Sequence, residues 1–175
     1  ICNNLIEVVS DSDLVITMLT DDNAVEKVLS DNSFLDNLKP SATVIDMSSV
    51  KPEIAIKHGN ILEKRGINFL DAPVSGGTLG AENGNLAIMV GGDQDIFDKS
   101  SDVLKVMGNP TLVGCLGSGQ IAKLANQIIV GVSIGAVAEA ITLCEKANVD
   151  PTKFINALSG GFADSKILQN HGKRM

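Results

Sequence analysis

Apolar residues occur along the first two thirds of this chain in short runs, and stretches of helical periodicity separate most of these runs. Three runs, at 14–19, 43–46 and 68–71, have the length and composition of strands buried on both faces of a sheet. Two more, at 86–90 and 111–113, follow further along the chain. Strands that alternate with helices in this way are typical of a largely parallel, doubly wound α/β sheet.

The pattern changes near residue 117, where a single helical pattern begins that runs from Gln120 to about Asn148. The stretch from Ile128 to Ala138 is apolar or small on every side, so we expect it to be buried. Polar residues at its ends leave only about half of the ~20 apolar residues that a membrane span requires. The sequence therefore predicts a central helix, between two domains or at a dimer interface, and no membrane helix.

Composition narrows the class of protein. The chain has 175 residues, 44% of them hydrophobic, and a formal net charge of −7. This acidic balance provides no basic patch for phosphates and argues against a nucleic-acid partner. The three cysteines are far apart and odd in number, and neither histidine has neighbours at metal-ligand spacing. We therefore expect no metal site and no disulfide framework, and a reduced, cytoplasmic protein.

The segment Gly117–Ala122 matches the dinucleotide-binding pattern G-x-G-x-x-G/A between a strand and a helix. That pattern also needs a second strand about 20 residues later, ending in an acidic residue. Glu139 stands near that distance but lies within the uninterrupted helical pattern. We therefore interpret the glycines as the point where sheet gives way to helix. They leave bare backbone near a helix N-terminus, which favours anions.

Three segments carry candidate chemistry. Lys123, Asn126 and Gln127 share one face of the helix, so their polar ends can converge on one small ligand. A lysine near a helix start is usually solvated, but desolvation among apolar neighbours would lower its pKa and suit proton transfer. Ser75-Gly76-Gly77 is either a plain turn or an anion-binding concavity. Ser48-Ser49 either caps the next helix or binds a cofactor.

Three segments occur in the order found in the β-hydroxyacid dehydrogenase family, which the chain resembles over nearly its whole length. They are Asp71-Ala72-Pro73-Val74-Ser75-Gly76-Gly77, Met89-Val90-Gly91-Gly92 and Gly114-x-x-Gly117-x-Gly119-x-x-x-Lys123-x-x-Asn126-Gln127. The residues after Lys123 and the segment Gly160-Gly161-Phe162-Ala163 are most similar to the tartronate semialdehyde reductase branch. The 3-hydroxyisobutyrate dehydrogenase branch is next. Ala125 stands where the decarboxylating 6-phosphogluconate enzymes carry histidine, which argues against that activity.

The resemblance implies a Rossmann-like domain that binds NAD or NADP and reduces a small, carboxylate-bearing 2-hydroxy-3-oxo acid. Lys123 would be the catalytic general acid and base. The implied substrate-binding residues are Ser75, Gly76, Gly77, Asn126 and Gln127. The implied cofactor-binding residues are Met18, Leu19, Thr20 and Ser49, where Thr20 departs from the family's usual proline.

The resemblance also implies how the chain is divided. Residues 1–116 would be the later part of a nucleotide-binding domain, without its Gly-rich pyrophosphate loop. Residues 117–175 would be the long helix and the first helices of an all-α domain, which we expect to form homo-oligomers. We expect these residues alone to be inactive and to bind the cofactor weakly. The alternatives are 3-hydroxyisobutyrate dehydrogenase activity, or a non-catalytic interaction fragment that only dimerises.

Overall fold

A computed structural model describes residues 2–174, with the side chain of Lys173 left out. The strands are β1 (Leu14–Thr17), β2 (Thr43–Asp46), β3 (Asn68–Asp71), β4 (Val74–Ser75), β5 (Leu86–Gly91) and β6 (Gly108–Gly114). The helices are α1 (Leu5–Val9), α2 (Asp22–Leu29), α3 (Asn32–Leu35), α4 (Pro52–Glu63), α5 (Gly77–Glu82), α6 (Gln94–Met107), α7 (Ser118–Lys146), α8 (Pro151–Ala157) and α9 (Lys166–His171), followed by a 3₁₀ turn at Gly172–Arg174. Two compact units contain these elements, Ile1–Lys123 and Leu124–Met175.

The first unit is built on a six-stranded sheet in the described residues, with β1, β2, β3, β5 and β4 in that order and β6 paired to β5. β1, β2 and β3 are parallel. β5 runs antiparallel to β3 and β4 and parallel to β6. This arrangement confirms the predicted Rossmann-like α/β class.

Helices cover both faces of the sheet. Successive residues of a strand point to opposite faces, so each strand contributes side chains to two cores. Val44 and Phe69 pack in one core with α1 to α4, where Leu29 and Leu62 are fully buried. The next residues along the strands, Ile45 and Leu70, pack in a second core that includes Leu104 of α6. The continuous apolar runs of the sequence are thus explained by burial on both faces.

The segment Ser75-Gly76-Gly77 was predicted to be either a plain turn or an anion-binding concavity. It forms the end of β4 and the start of α5. β4 has two residues, which pair with Ile88 and Ala87 of β5. Such a short strand has no periodicity of its own, and α5 contains two glycines in six residues, which lowers its helix propensity. Both elements therefore depend on contacts with β5 that a local pattern does not show.

The second unit has a small core around Ile141, Ile155 and Leu168, contributed by α7, α8 and α9. By length and composition alone α7 could cross a membrane, with a mean hydropathy of 1.8 over its most apolar window. Only 11% of that window is buried within the described chain. Within the described residues α8 and α9 pack against α7 only at its later part, so the burial of this stretch at an interface stays a prediction.

His58 of α4 is fully buried, and neither ring nitrogen has a hydrogen-bond partner within residues 2–174. Burial, and then the neighbouring Lys57 charge, lower the pKa of this ring below its ordinary 6.5, against weaker opposing effects of Glu26 and Asp46. The backbone of Leu29 lies close enough to the ring to raise its pKa slightly, although the contact does not have the geometry of a hydrogen bond. As the pH falls below 6.5, the unfolded chain therefore takes up a proton on His58 more readily than the native state does, which lowers the free energy of unfolding.

We expect His58→Leu to raise the free energy of unfolding by about 1–2 kcal/mol at neutral pH, because it removes buried polar atoms without partners. It should also weaken the loss of stability as the pH falls below 6.5, since the depressed native pKa causes that loss. Urea unfolding between pH 5 and 7.5 measures both effects. The matched control is His171→Leu, at the chain's other, exposed histidine. A loss of stability only in His58→Leu would contradict the prediction.

Candidate active site at the carboxyl ends of the strands

Three polar residues end the three parallel strands in register. Thr17 pairs with Asp46 across β1 and β2, and Asp46 pairs with Asp71 across β2 and β3. All three are buried. Thr17 Oγ1 donates to Asp46 Oδ1 at 2.8 Å. In a parallel sheet the carboxyl ends of the strands share one edge, where ligands of this architecture bind.

The loops after β1 and β2 hold each other in place. Leu19 N donates to Ser48 Oγ at 2.8 Å, so this amide of the predicted cofactor-binding set is satisfied within the protein. Ser48-Ser49 do not cap α4, whose N-cap is Lys51 and has no side-chain cap bond. Ser48 is buried, and Ser49 beside it is exposed. The helix-capping alternative for this pair is therefore wrong.

Three exposed residues of these loops carry groups of the kinds that bind a nicotinamide cofactor. Met18 exposes 63% of its surface just beyond β1 and presents an apolar face of the kind that packs against a flat ring. The exposed hydroxyl groups of Thr20 and Ser49 are donors and acceptors suited to a ribose. These residues would hold the cofactor, and their assignment remains a prediction.

The Ser75-Gly76-Gly77 segment follows β3 and borders the same edge. Gly76 has φ 141° and Gly77 has φ 63°, conformations that side-chain-bearing residues rarely adopt. Gly76 is the N-cap of α5, and no side chain caps that helix. Gly76 and Gly77 are exposed, and bare backbone next to the Ser75 hydroxyl is an environment that suits a carboxylate.

Lys123 lies against this segment. Its Nζ donates a hydrogen bond to the carbonyl oxygen of Val74, the residue before Ser75, at 2.7 Å. Burial lowers the pKa of its ammonium below the ordinary 10.5. The structure thus brings together the predicted catalytic lysine and the predicted carboxylate-binding segment.

Asn126 and Gln127 follow Lys123 along α7 within about one helical turn. Asn126 Nδ2 donates to Gln127 Oε1 at 2.9 Å, so the two carboxamides bind each other. The sequence predicted that the lysine and both carboxamides converge on one ligand. The hydrogen bonds show the carboxamides paired, and their role as substrate ligands stays a prediction.

Asp71 and Gln120 are two buried polar residues to which the sequence assigned no role. Asp71 Oδ1 accepts from Gly117 N at 2.7 Å, and its Oδ2 accepts from Gln120 N at 2.9 Å. The anion favoured at the start of α7 is therefore the protein's own carboxylate. Burial raises the pKa of Asp71, against the opposing effect of these two hydrogen bonds. An acidic residue ending an apolar strand, and a glutamine entering an apolar helix, were the signals for this pair.

Two family models match the chain. Residues 1–131 match the NAD-binding domain of 6-phosphogluconate dehydrogenase. Residues 117–175 match the NAD-binding region of NADP-dependent 3-hydroxyisobutyrate dehydrogenase. Together the two models cover the chain and concern nicotinamide cofactors, and they are compatible with either NAD or NADP.

Individual relatives agree with these models. The 2-hydroxy-3-oxopropionate reductase of Escherichia coli (strain K12) is 43% identical over 97% of this chain and 59% of its own length. The "Probable 3-hydroxyisobutyrate dehydrogenase-like 2, mitochondrial" of Arabidopsis thaliana is 39% identical over 94% of this chain and 55% of its own. The solved structure of Mycobacterium tuberculosis 3-hydroxyisobutyrate dehydrogenase with L-serine aligns with a TM-score of 0.83 at 32% identity, over 94% of this chain and 56% of that one.

The chain thus spans between half and three fifths of the length of these three relatives. The family-model match over residues 1–131, the α/β sheet and the order of the sequence motifs between Asp71 and Gln127 all indicate the same family. The chain belongs to the β-hydroxyacid dehydrogenase family.

Proposed function

We propose that the parent protein, meaning the protein of its relatives' length that carries this chain, is an NAD(P)-dependent reductase. Its substrate is tartronate semialdehyde, a small 2-hydroxy-3-oxo acid, and its product is glycerate. The observation that carries the proposal is the hydrogen bond from Lys123 Nζ to the Val74 carbonyl, next to Ser75-Gly76-Gly77. The lowered pKa of Lys123 and its closeness to a segment suited to a carboxylate support a role in proton transfer.

A bound reduced nicotinamide would supply a hydride to the aldehyde carbon of the substrate. The Lys123 ammonium donates its proton to the carbonyl oxygen, which gains negative charge as its carbon accepts the hydride. In the oxidation direction the neutral amine takes the proton of the hydroxyl group. Burial suits both roles, because a pKa nearer the working pH improves proton transfer in either direction.

The substrate's carboxylate fixes which carbon faces the cofactor. We propose that Ser75, Gly76 and Gly77 bind it through the Ser75 hydroxyl and the exposed backbone amides. Asn126 and Gln127 would bind the substrate's hydroxyl group or carboxylate once their mutual hydrogen bond opens. Met18, Leu19, Thr20 and Ser49 would border the nicotinamide and its ribose. The exposure of Met18 and Ser49 supports this part of the proposal.

A substrate comparison tests the proposed activity. We expect the purified parent protein to oxidise NADH or NADPH in the presence of tartronate semialdehyde, with the larger kcat/KM for that aldehyde. The competing substrate is the aldehyde of 3-hydroxyisobutyrate, which carries a methyl group in place of the hydroxyl. A larger kcat/KM for the methyl compound would favour 3-hydroxyisobutyrate dehydrogenase activity. Turnover of neither aldehyde would overturn the reductase proposal.

A second proposal concerns association. Ile128, Ile129 and Val132 of α7 expose 67%, 66% and 69% of their surfaces, and such apolar faces mark protein interfaces. This exposure supports a homo-oligomer formed through the all-α part, and it also favours a non-catalytic, dimerising role for the 175 residues taken alone. We further propose a cytoplasmic location, supported by the free thiols of Cys2, Cys115 and Cys144.

A further inference from the structure

The side chain of Gln120 bridges two parts of the candidate site. It is 1% exposed and uses both ends of its carboxamide. Its Oε1 accepts from Val50 N at 3.1 Å, and its Nε2 donates to the carbonyl oxygen of Ser48 at 2.9 Å. These two partners flank Ser49, the exposed residue of the loop after β2. One side chain of α7 therefore fixes the backbone on both sides of Ser49.

The backbone of Gln120 is fixed as well, because its N–H binds the Asp71 carboxylate at 2.9 Å. Three residues further along each segment, Lys123 Nζ binds the Val74 carbonyl at 2.7 Å. The segment from Asp71 to Val74 and the helical turn from Gln120 to Lys123 are thus joined at both ends. A shift of α7 along this segment would break both hydrogen bonds together.

Residues three apart on a helix lie about one turn apart on the same side, so the positions of Gln120 and Lys123 are coupled. Displacing a catalytic group by about 1 Å costs on the order of 100-fold in rate. A glutamine that holds both the helix start and the Ser49 loop is therefore placed to control the geometry between proton donor and cofactor.

We propose that Gln120 is a positioning residue, which holds the Lys123 ammonium in register with the cofactor-binding loop around Ser49. The inference rests on the proposed function, because it assigns Lys123 and Ser49 the roles given above. Gln120 does not touch the reacting atoms in this scheme. It acts through Lys123 and through the backbone of the loop.

The test is a double-mutant cycle in the parent protein, with Gln120→Met and Lys123→Ala. Methionine keeps the length and buried volume of the side chain but cannot make either hydrogen bond. We expect Gln120→Met to lower kcat by about 10- to 100-fold. In the Lys123→Ala background the same change should have almost no further effect on kcat, because the group that it positions is gone. We also expect the cofactor KM to rise and the aldehyde KM to stay close to that of the wild type.

A purely structural role would give a different result, since its losses would multiply in the double mutant. That result, or a wild-type kcat in Gln120→Met, would overturn the inference. Gln94→Met is the matched control, at an exposed glutamine of α6, and should leave kcat unchanged. If Gln120→Met does not fold, Gln120→Glu, which keeps the acceptor for Val50 N, is expected to behave in the same way. Failure of both to fold would also contradict the positioning role.

The cycle separates this inference from the proposed function. Full activity in Lys123→Ala would remove the reductase mechanism whatever Gln120 does. A large loss in Lys123→Ala, combined with independent effects of the two changes, would remove only the positioning role.

Discussion

Lys123→Ala is expected to lower kcat for tartronate semialdehyde reduction in the parent protein by about 100- to 10,000-fold, the usual loss when a general acid is removed. KM should change less, because the proposed role of the ammonium is to protonate the oxygen as charge develops on it. Steady-state kinetics with saturating cofactor measure the effect. Lys99→Ala, at an exposed lysine of α6, is the matched control and should keep full activity.

The dependence of the reaction rate on pH tests the same role of Lys123. The wild-type rate of carbonyl reduction should fall as the pH rises through the pKa of Lys123, which burial places below 10.5. The rate of alcohol oxidation should rise over the same range. Lys123→Ala should lose this dependence, and an added primary alkylamine should restore part of its rate. An unchanged profile in Lys123→Ala would show that another group titrates.

Gly119→Ala is expected to destabilise this chain by about 3 kcal/mol or more, the upper range for overpacking. A Cβ at this position would lie 2.7 Å from the carbonyl oxygen of Asp71 and closer still to that of Met89. Backbone atoms cannot rotate away as a side chain can, so the first turn of α7 would have to lift from the sheet. In the parent protein we expect kcat to fall as well, because Lys123 follows about one turn later on the same helix.

The matched control for this second prediction is Gly131→Ala on the same helix. Apart from its chain neighbours and the adjacent backbone of α7, no atom of the described residues lies within 4 Å of a Cβ added there. The substitution should stabilise the chain by about 0.5–1 kcal/mol, since alanine loses less conformational entropy in a helix than glycine. Urea unfolding of both variants measures the contrast. Equal effects of the two substitutions would show that the start of α7 can move away from β3 without cost.

The parallel part of the fold could be predicted from sequence because its signals are local. The apolar runs that form β2 and β3 have the correct length, and Pro52 marks the start of α4. The loop from β3 into α5 could not be predicted in this way. Its two-residue strand exists only through pairing with β5, and neither residue carries a distinguishing pattern. A local pattern records propensity and periodicity, whereas this strand depends on a partner further along the chain.

The candidate site shows the same division. Lys123 could be singled out because a charged residue among apolar helix positions is conspicuous in a sequence. The partners of Asp71 could not, since they lie 46 and 49 residues away along the chain. The glycines before α7 suggested space for an external anion, but the structure fills that position with Asp71. The paired carboxamides of Asn126 and Gln127 were missed for a related reason, since a shared helix face does not show which hydrogen bonds form.

The hydrogen bond between Lys123 and the Val74 carbonyl has a kinetic consequence. The partner of the ammonium is a neutral dipole, and within residues 2–174 no carboxylate forms an ion pair with this lysine. A lysine held by a carboxylate would have to break that ion pair before it could serve a negatively charged oxygen. In the proposed mechanism Lys123 would instead exchange a weaker partner for a stronger one as charge builds on the substrate. Under that mechanism the ammonium would stabilise the charged transition state more than the bound substrate.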